Sequence, residues 1–199
     1  IPLGMLETLL AYEKPIKMEI PLDLNKTTFL FYGRLVYYKG LSVLKEAVNL
    51  LKEDFDKFNV IIAGSGYDEA VSFFQSLDNA MVINRHLSNN EMMYLNRICS
   101  VVVMPYLSAS QSGIVLTSFM VGKPIIATKA GALTEVIEDH KNGLLVEKEN
   151  PQAFANAMRP VIDNPLLLKE LSDGAKKFGH GDQYDWDNIA QKTAEFYFS

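Results

Sequence analysis

Apolar positions along this chain fall into two alternating kinds of run. "TTFLFYG" (27–33), "FNVIIAGSG" (58–66), "AMVINR" (80–85), "SVVVMP" (100–105), "KPIIAT" (123–128) and "NGLLVEK" (142–148) are short, near-continuous apolar stretches bounded by Gly, Pro or Asn. That is the pattern of strands buried on both faces. Between them the period lengthens to that of a helix. "GLSVLKEAVNLLKEDF" (40–55) sets Leu41, Leu44, Ala47, Val48 and Leu51 on one helical face, and "YDEAVSFFQSL" (67–77) predicts a second helix. "SNNEMMYLNRI" (88–98) opens with a capping box, Ser88 and Glu91. A further apolar helix starts near Ile114, "GALTEVIED" (131–139) is a short one, and "PQAFANAMRPVIDN" (151–164) begins with Pro. From there through Trp186 to Ser199 the pattern is helical only.

Strand and helix alternating six times predict an α/β fold. The expected architecture is a Rossmann-like, doubly wound parallel sheet of about six strands with extra C-terminal helices. Residues 1–26 carry one amphipathic stretch (Met5 to Tyr12) and two prolines, Pro15 and Pro21, and read as an interdomain connector with a leading helix. Residues 27–199 read as the single Rossmann-like domain.

Composition narrows the picture. The chain has 199 residues, 48% hydrophobic and 22% charged, enough for one sizeable core. A formal net charge of −5 without clustered Lys and Arg excludes a nucleic-acid footprint. The one cysteine, Cys99, cannot form an internal disulfide, and a reducing, cytoplasmic location is expected. Cys99 itself, beside a buried strand, reads as inert core. No apolar run approaches the ~20 residues of a membrane-spanning helix. The chain starts Ile-Pro-Leu-Gly rather than with Met and reads as a piece of something longer. His86, His140 and His180 fall in separate turns without ligand spacing, so no metal site is expected. Neither G-x-S-x-G nor a P-loop occurs.

In such a sheet, ligands bind beyond the carboxyl ends of the strands. "GRLVYYKG" (33–40) puts Arg34 directly after the first strand and Lys39 at the mouth of the next helix. A guanidinium fork and an ammonium there suit a dianion such as a diphosphate; two solvated surface cations are the plain alternative. Gly64-Ser65-Gly66 is not a dinucleotide fingerprint, because position 69, where the third glycine belongs, is Glu69. The two glycines instead suggest close backbone approach in a tight turn. Gln111-Ser112-Gly113 precedes a helix whose first amides can hold phosphate oxygens, or form an ordinary N-terminus.

These pieces, "FYGRLVYYKGLSVL", "VIIAGSG", "SVVVMPYLSASQSGIVLTSFMVGKPIIATKAGALTEVIEDHKNGLLV" and "WDNIAQKTAEFY", resemble the C-terminal, donor-binding half of the group 1 (family 4) retaining glycosyltransferases of GT-B fold. The resemblance runs from about residue 27 to the end. It implies transfer of a hexose from a UDP- or GDP-sugar to a glycan or lipid-linked acceptor, as in polysaccharide biosynthesis, with retention through a same-face, oxocarbenium-like route. It assigns the diphosphate to Arg34 and Lys39 as the catalytic pair. Gly33, Gly64, Gly66, Gln111, Ser112, Gly113 and Ile114 then line the donor, with Arg85, His86 and Leu87 near the nucleobase. No metal or cofactor is implied, since the nucleotide-sugar is a substrate. Peripheral attachment at the inner membrane face fits a lipid-linked acceptor.

The sequence departs from the family's Glu-x7-Glu pattern. Those positions are Ala109 and Thr117 here, leaving Gln111 to make sugar contacts and Thr117 one weaker hydrogen bond to ribose. A non-catalytic nucleotide- or sugar-binding module is therefore the alternative. A nicotinamide-binding domain is disfavoured by Glu69. The acceptor-binding N-terminal domain of the family is not in this chain, so the fragment alone is expected to bind nucleotide weakly and to transfer little sugar. An exposed apolar patch is expected where the connector and last helix would meet that domain.

Overall fold

A computed structural model describes residues 16, 18–110, 112–181 and 186–198. Its six strands are β1 (Thr27–Tyr32), β2 (Phe58–Gly64), β3 (Ala80–Asn84), β4 (Val101–Met104), β5 (Ile125–Thr128) and β6 (Gly143–Val146). All pairings are parallel, and the order across the sheet is β3-β2-β1-β4-β5-β6. The continuous apolar runs are explained by burial on both faces: every residue of β2, β4 and β5 is buried, and all of β1 after Thr27. Phe29 and Phe58 meet edge-on across neighbouring strands at 5.8 Å.

Among the described residues there are eight α-helices: α1 (Leu41–Leu50), α2 (Val71–Gln75), α3 (Asn89–Ile98), α4 (Gly113–Met120), α5 (Leu133–Val136), α6 (Pro151–Asp163), α7 (Pro165–Gly179) and α8 (Trp186–Phe198). Helix α1 packs on α6, and α4 on α7, where Phe119 and Phe178 stack edge-on at 5.1 Å. Gly179 lets the two backbones meet there, since a Cβ would lie 2.2 Å from the Phe119 carbonyl oxygen.

Helix starts follow local chemistry. Ser88 and Glu91 form the full capping box on α3. Asn150 accepts from the Ala153 amide with Pro151 at the first helical position.

Two helices are shorter than the apolar period suggests, for identifiable reasons. The stretch 67–77 condenses to α2 because Asp68 Oδ1 accepts the Ala70 amide at 3.0 Å, holding residues 68–70 in a turn. The stretch 131–139 stops after Val136 because Asn142, 2% exposed, competes for its backbone. Its Nδ2 donates to Val136 O, and its Oδ1 accepts the Glu138 amide at 2.8 Å. Helix α1 likewise gives way to a 3-10 turn at Lys52–Asp54.

The end of the expected connector lies against the domain, with Met18, Ile20 and Leu22 alternating onto the core. Its leading helix, Met5 to Tyr12, and Pro15 lie outside the described residues. Among the described residues no helix is long and apolar enough to cross a membrane.

Candidate functional site

Strands β1 and β4 are neighbours whose onward connections leave in opposite directions, so the strand order reverses between them. A crevice opens at the carboxyl ends of such a pair. The segments entering it are the loop after β1, the loop after β4 and the start of α4.

Backbone pairing continues past the ends of β1 and β2. The Gly33 amide donates to Ala63 O, and the Leu35 amide to Ser65 O, each at 2.9 Å. At Gly64 (φ +146°) a Cβ would sit 1.6 Å from Gly33 O, and at Gly66 (φ +140°) 2.3 Å from Leu35 O. These glycines therefore exist to bring two backbones together. Farther on, Tyr37–Lys39 make a 3-10 turn into Gly40 (φ +70°), whose Cβ would lie 1.9 Å from Pro105 O. The Leu107 amide donates to Tyr38 O at 2.9 Å. The loop after β1 is thus locked onto the loop after β4.

Against this frame stand two cations. Lys39 is half-buried, its ammonium 3.8 Å from the centroid of the Tyr106 ring and 5.6 Å from that of Tyr38. Arg34 is exposed and close enough for its charge to act on Lys39. Among the described residues neither forms an ion pair with a carboxylate. Burial, with the Arg34 charge added, pushes the Lys39 pKa down to about 8. Two neighbouring positive charges without a counter-charge are electrostatically uphill, and an anion between them relieves that cost.

Helix α4 begins beside them. Its N-cap residue, Ser112, has extended backbone and gives no side-chain cap. The first-turn amides, at Gly113 and Ile114, therefore give no hydrogen bond to that hydroxyl and stay available as donors at the helix start. Ile114 closes on Gly33, where a Cβ would be 3.3 Å from Ile114 Cδ1. Gln111 lies outside the described residues.

Next to Arg34 is a cavity of about 260 Å³ whose wall includes Gly33, Arg34, Gly64, His86 and Leu87, five of the residues that the sequence singles out. Tyr32, Ser65, Asn89 and Met92 complete its wall and were not anticipated. The carboxyl-end rule flags Tyr32, the last residue of β1, and the capping box flags the α3 start that carries Asn89 and Met92. Gly66 is not part of this wall; it serves the backbone packing described above.

Two residues expected at the donor have their side chains engaged within the protein. The Arg85 side chain does not line the cavity: its guanidinium grips Glu91 through Nη2–Oε1 at 2.6 Å and Nη1–Oε2 at 3.1 Å, and also donates to His86 O. The capping-box carboxylate captures it. Thr117 is 2% exposed, and its hydroxyl donates to Gly113 O at 2.8 Å, one helical turn back. That proton is not offered to a ribose. Cys99 is buried as expected, its thiol pushed up to about 12 by burial. Among the described residues no group of three or more His, Cys, Asp or Glu lies close enough to hold a metal ion.

Comparison with known proteins places this geometry. Residues 13–178 match the family described as Glycosyl transferases group 1. An uncharacterized glycosyltransferase of Methanocaldococcus jannaschii is 27% identical over 194 residues, 94% of this chain and 49% of the relative. The D-inositol 3-phosphate glycosyltransferase of Corynebacterium urealyticum is 27% identical over 180 residues, 85% of this chain and 42% of the relative. The chain thus spans about half the length of the curated relatives it matches. Sucrose-phosphate synthase from Thermosynechococcus elongatus superposes with a TM-score of 0.75 at 17% identity, over 98% of this chain and 49% of the other. Anabaena HepE, in complex with UDP and glucose, superposes with a TM-score of 0.71 at 20% identity, over 88% and 49%. The fold is that of the C-terminal halves of GT-B glycosyltransferases. With its family match over most of its length, the chain belongs to the group 1 glycosyl transferases.

Proposed function

We propose that this domain binds the nucleoside diphosphate of a nucleotide-sugar and presents the sugar for transfer. One observation carries the reading. Arg34 and Lys39 stand together at the strand switch point, unmatched by a carboxylate among the described residues, beside the uncapped start of α4. A diphosphate laid across these groups meets a guanidinium fork, an ammonium and helix amides at once. The nucleoside would then enter the cavity beside His86 and Leu87. A UDP complex of a protein with the same fold supports the choice of ligand.

The chemistry follows from where charge develops. As the bond from the sugar to the diphosphate stretches, negative charge accumulates on the leaving phosphate oxygen. Cations and amides already fixed around it stabilise that charge without reorganising. The reaction we infer is hexose transfer from a UDP- or GDP-sugar with retention, along a same-face route with an oxocarbenium-like transition state. The positive side chains make the step independent of metal, so EDTA should leave nucleotide binding unchanged. The acceptor, a glycan or a lipid-linked sugar, would be brought by the part of the protein outside this chain. A nucleotide-sugar donor suits a cytoplasmic reaction, with a lipid-linked acceptor met at the inner membrane face.

A second reading has a specific observation behind it. Ala109 is apolar and Thr117 is bonded into its own helix, so neither motif position supplies a carboxylate. That favours a nucleotide- or sugar-binding module without turnover. Full-length protein incubated with UDP- and GDP-hexoses separates the two, since transfer or donor hydrolysis supports only the first.

Binding itself is tested by calorimetric titration of the chain with UDP, GDP and ADP. Saturable binding of one nucleotide is the expected result and names the base. Binding of none would overturn a preformed donor site in this domain.

A further inference from the structure

The two cations of the site are held differently. Arg34 projects into solvent, while the Lys39 ammonium rests on the face of Tyr106. Tyr106 lies two residues beyond β4, 1% exposed, and its backbone is fixed from three sides. The Thr128 hydroxyl, from the end of β5, donates to Tyr106 O. Gly40 presses on the carbonyl of the preceding Pro105, and the amide of the following Leu107 donates to Tyr38 O. Such clamping fixes the backbone from which the ring projects.

The hydroxyl is fully buried, and the side chain it meets there is that of Ser112, the N-cap of α4. Here the same ring touches the ammonium at one face and reaches the helix start with its hydroxyl. Lysine alone is a poor fixed charge, being a point ammonium on four rotatable carbons. A π face beneath it supplies the missing orientation.

We propose that Tyr106 is a positioning residue of the donor site, its ring seating the Lys39 ammonium where the diphosphate is received. The proposal rests on the donor reading given above. It separates the ring from the hydroxyl, and both from mere packing.

The test is a double-mutant cycle read by calorimetric titration of the chain with whichever of UDP or GDP binds. Tyr106→Phe keeps the π face and should bind within about twofold of wild type, whereas Tyr106→Leu should weaken binding about fivefold. In a Lys39→Met background, Tyr106→Leu should have no further effect. Equal weakening by Tyr106→Leu with and without Lys39 would overturn the proposal, because a structural role does not depend on the ammonium. So would a Phe variant as impaired as the Leu variant. Melting curves establish that each variant is folded.

A readout free of nucleotide accompanies the cycle. The Lys39 ε-methylene protons should be shifted upfield by the ring current in wild type and Tyr106→Phe, and should return to ordinary values in Tyr106→Leu. If the wild type binds no nucleotide, the donor reading falls, and these resonances alone decide whether Tyr106 seats Lys39. An unchanged Lys39 signal in the Leu variant overturns the seat whatever the nucleotide does.

Discussion

At the amino ends of the strands, Asp54 sits 7% exposed in the turn after α1 and collects two cations. Lys57 Nζ lies 2.7 Å from one carboxylate oxygen, and Arg159 Nη1, from α6, 2.8 Å from the other. At the carboxyl ends, Arg34 and Lys39 stand close together with no carboxylate among the described residues. The same residue types therefore do opposite work. The matched cluster ties the end of α1 to α6, and its charges are consumed in doing so. The unmatched pair has no such carboxylate among the described residues and leaves its charge available to a ligand. Uncompensated charge held on a rigid frame is the mark of a site.

The largest effects should come from exchanging the roles of the two clusters. Arg34→Ala should weaken nucleotide binding at least tenfold, about 1.4 kcal/mol, the scale of one charge-assisted contact. Its melting temperature should stay level or rise, because a repulsion is relieved. Asp54→Asn should do the reverse, lowering the melting temperature while leaving the binding constant within about twofold. Calorimetry and thermal melts on the two variants check both halves. A fall in stability with Arg34→Ala, or in affinity with Asp54→Asn, breaks the contrast.

A smaller effect concerns pH. Lys39 is pushed down to about 8 by burial and by Arg34, below the roughly 10.4 of a free lysine. The folded state then disfavours the proton that the unfolded chain still holds. Without ligand, the domain is penalised below pH 8 and gains stability as pH rises from 8 towards 10.4. Binding runs the other way, because a diphosphate needs the ammonium. Affinity should fall about fivefold to tenfold between pH 7 and pH 9, a window above the phosphate's own second titration. The other groups facing Lys39 are Arg34, Tyr38 and Tyr106, and burial pushes the Tyr106 phenol up, away from this window. Titrations at pH 7, 8 and 9 should show the fall in wild type and a flat profile in Lys39→Arg. A flat wild-type profile would remove the ammonium from the diphosphate.

How far the sequence foretells these features depends on the range of the interaction. Strand positions are legible because burial on both faces writes a continuous apolar run. Gly33, Arg34, Lys39 and Ser112 are legible because one rule, ligands beyond the carboxyl ends, selects a few residues per strand. Helices α2 and α5 come out shorter than their period because Asp68 and Asn142 divert backbone groups, which an apolar count does not register. Arg85 illustrates the limit. Its place after β3 is readable, but its capture by Glu91 needs the loop's three-dimensional path. Tyr106 is subtler still, since the Lys39 it carries belongs to another loop. The capping box named Ser88 and Glu91 because all its partners lie within one turn.

The smallest expected effect decides whether location or pairing governs the contrast. Arg85 and Glu91 lie at the carboxyl end, near the cavity, yet they are matched. Arg85, assisted by the Ser88 amide, holds the Glu91 carboxyl down to about 2. A carboxylate depressed in the fold contributes stability above its ordinary value near 4.3, and that contribution is lost as pH falls towards 2. The melting temperature of wild type should therefore drop more steeply between pH 5 and pH 2.5 than that of Glu91→Gln. At neutral pH, Arg85→Ala should leave nucleotide affinity within about twofold, because an exposed matched cation has no charge to spare. If Arg85→Ala instead costs as much as Arg34→Ala, nearness to the crevice is what matters and the pairing argument fails. If it does not, a cation two strands away from Arg34 on the same rim is structural solely because Glu91 has claimed it.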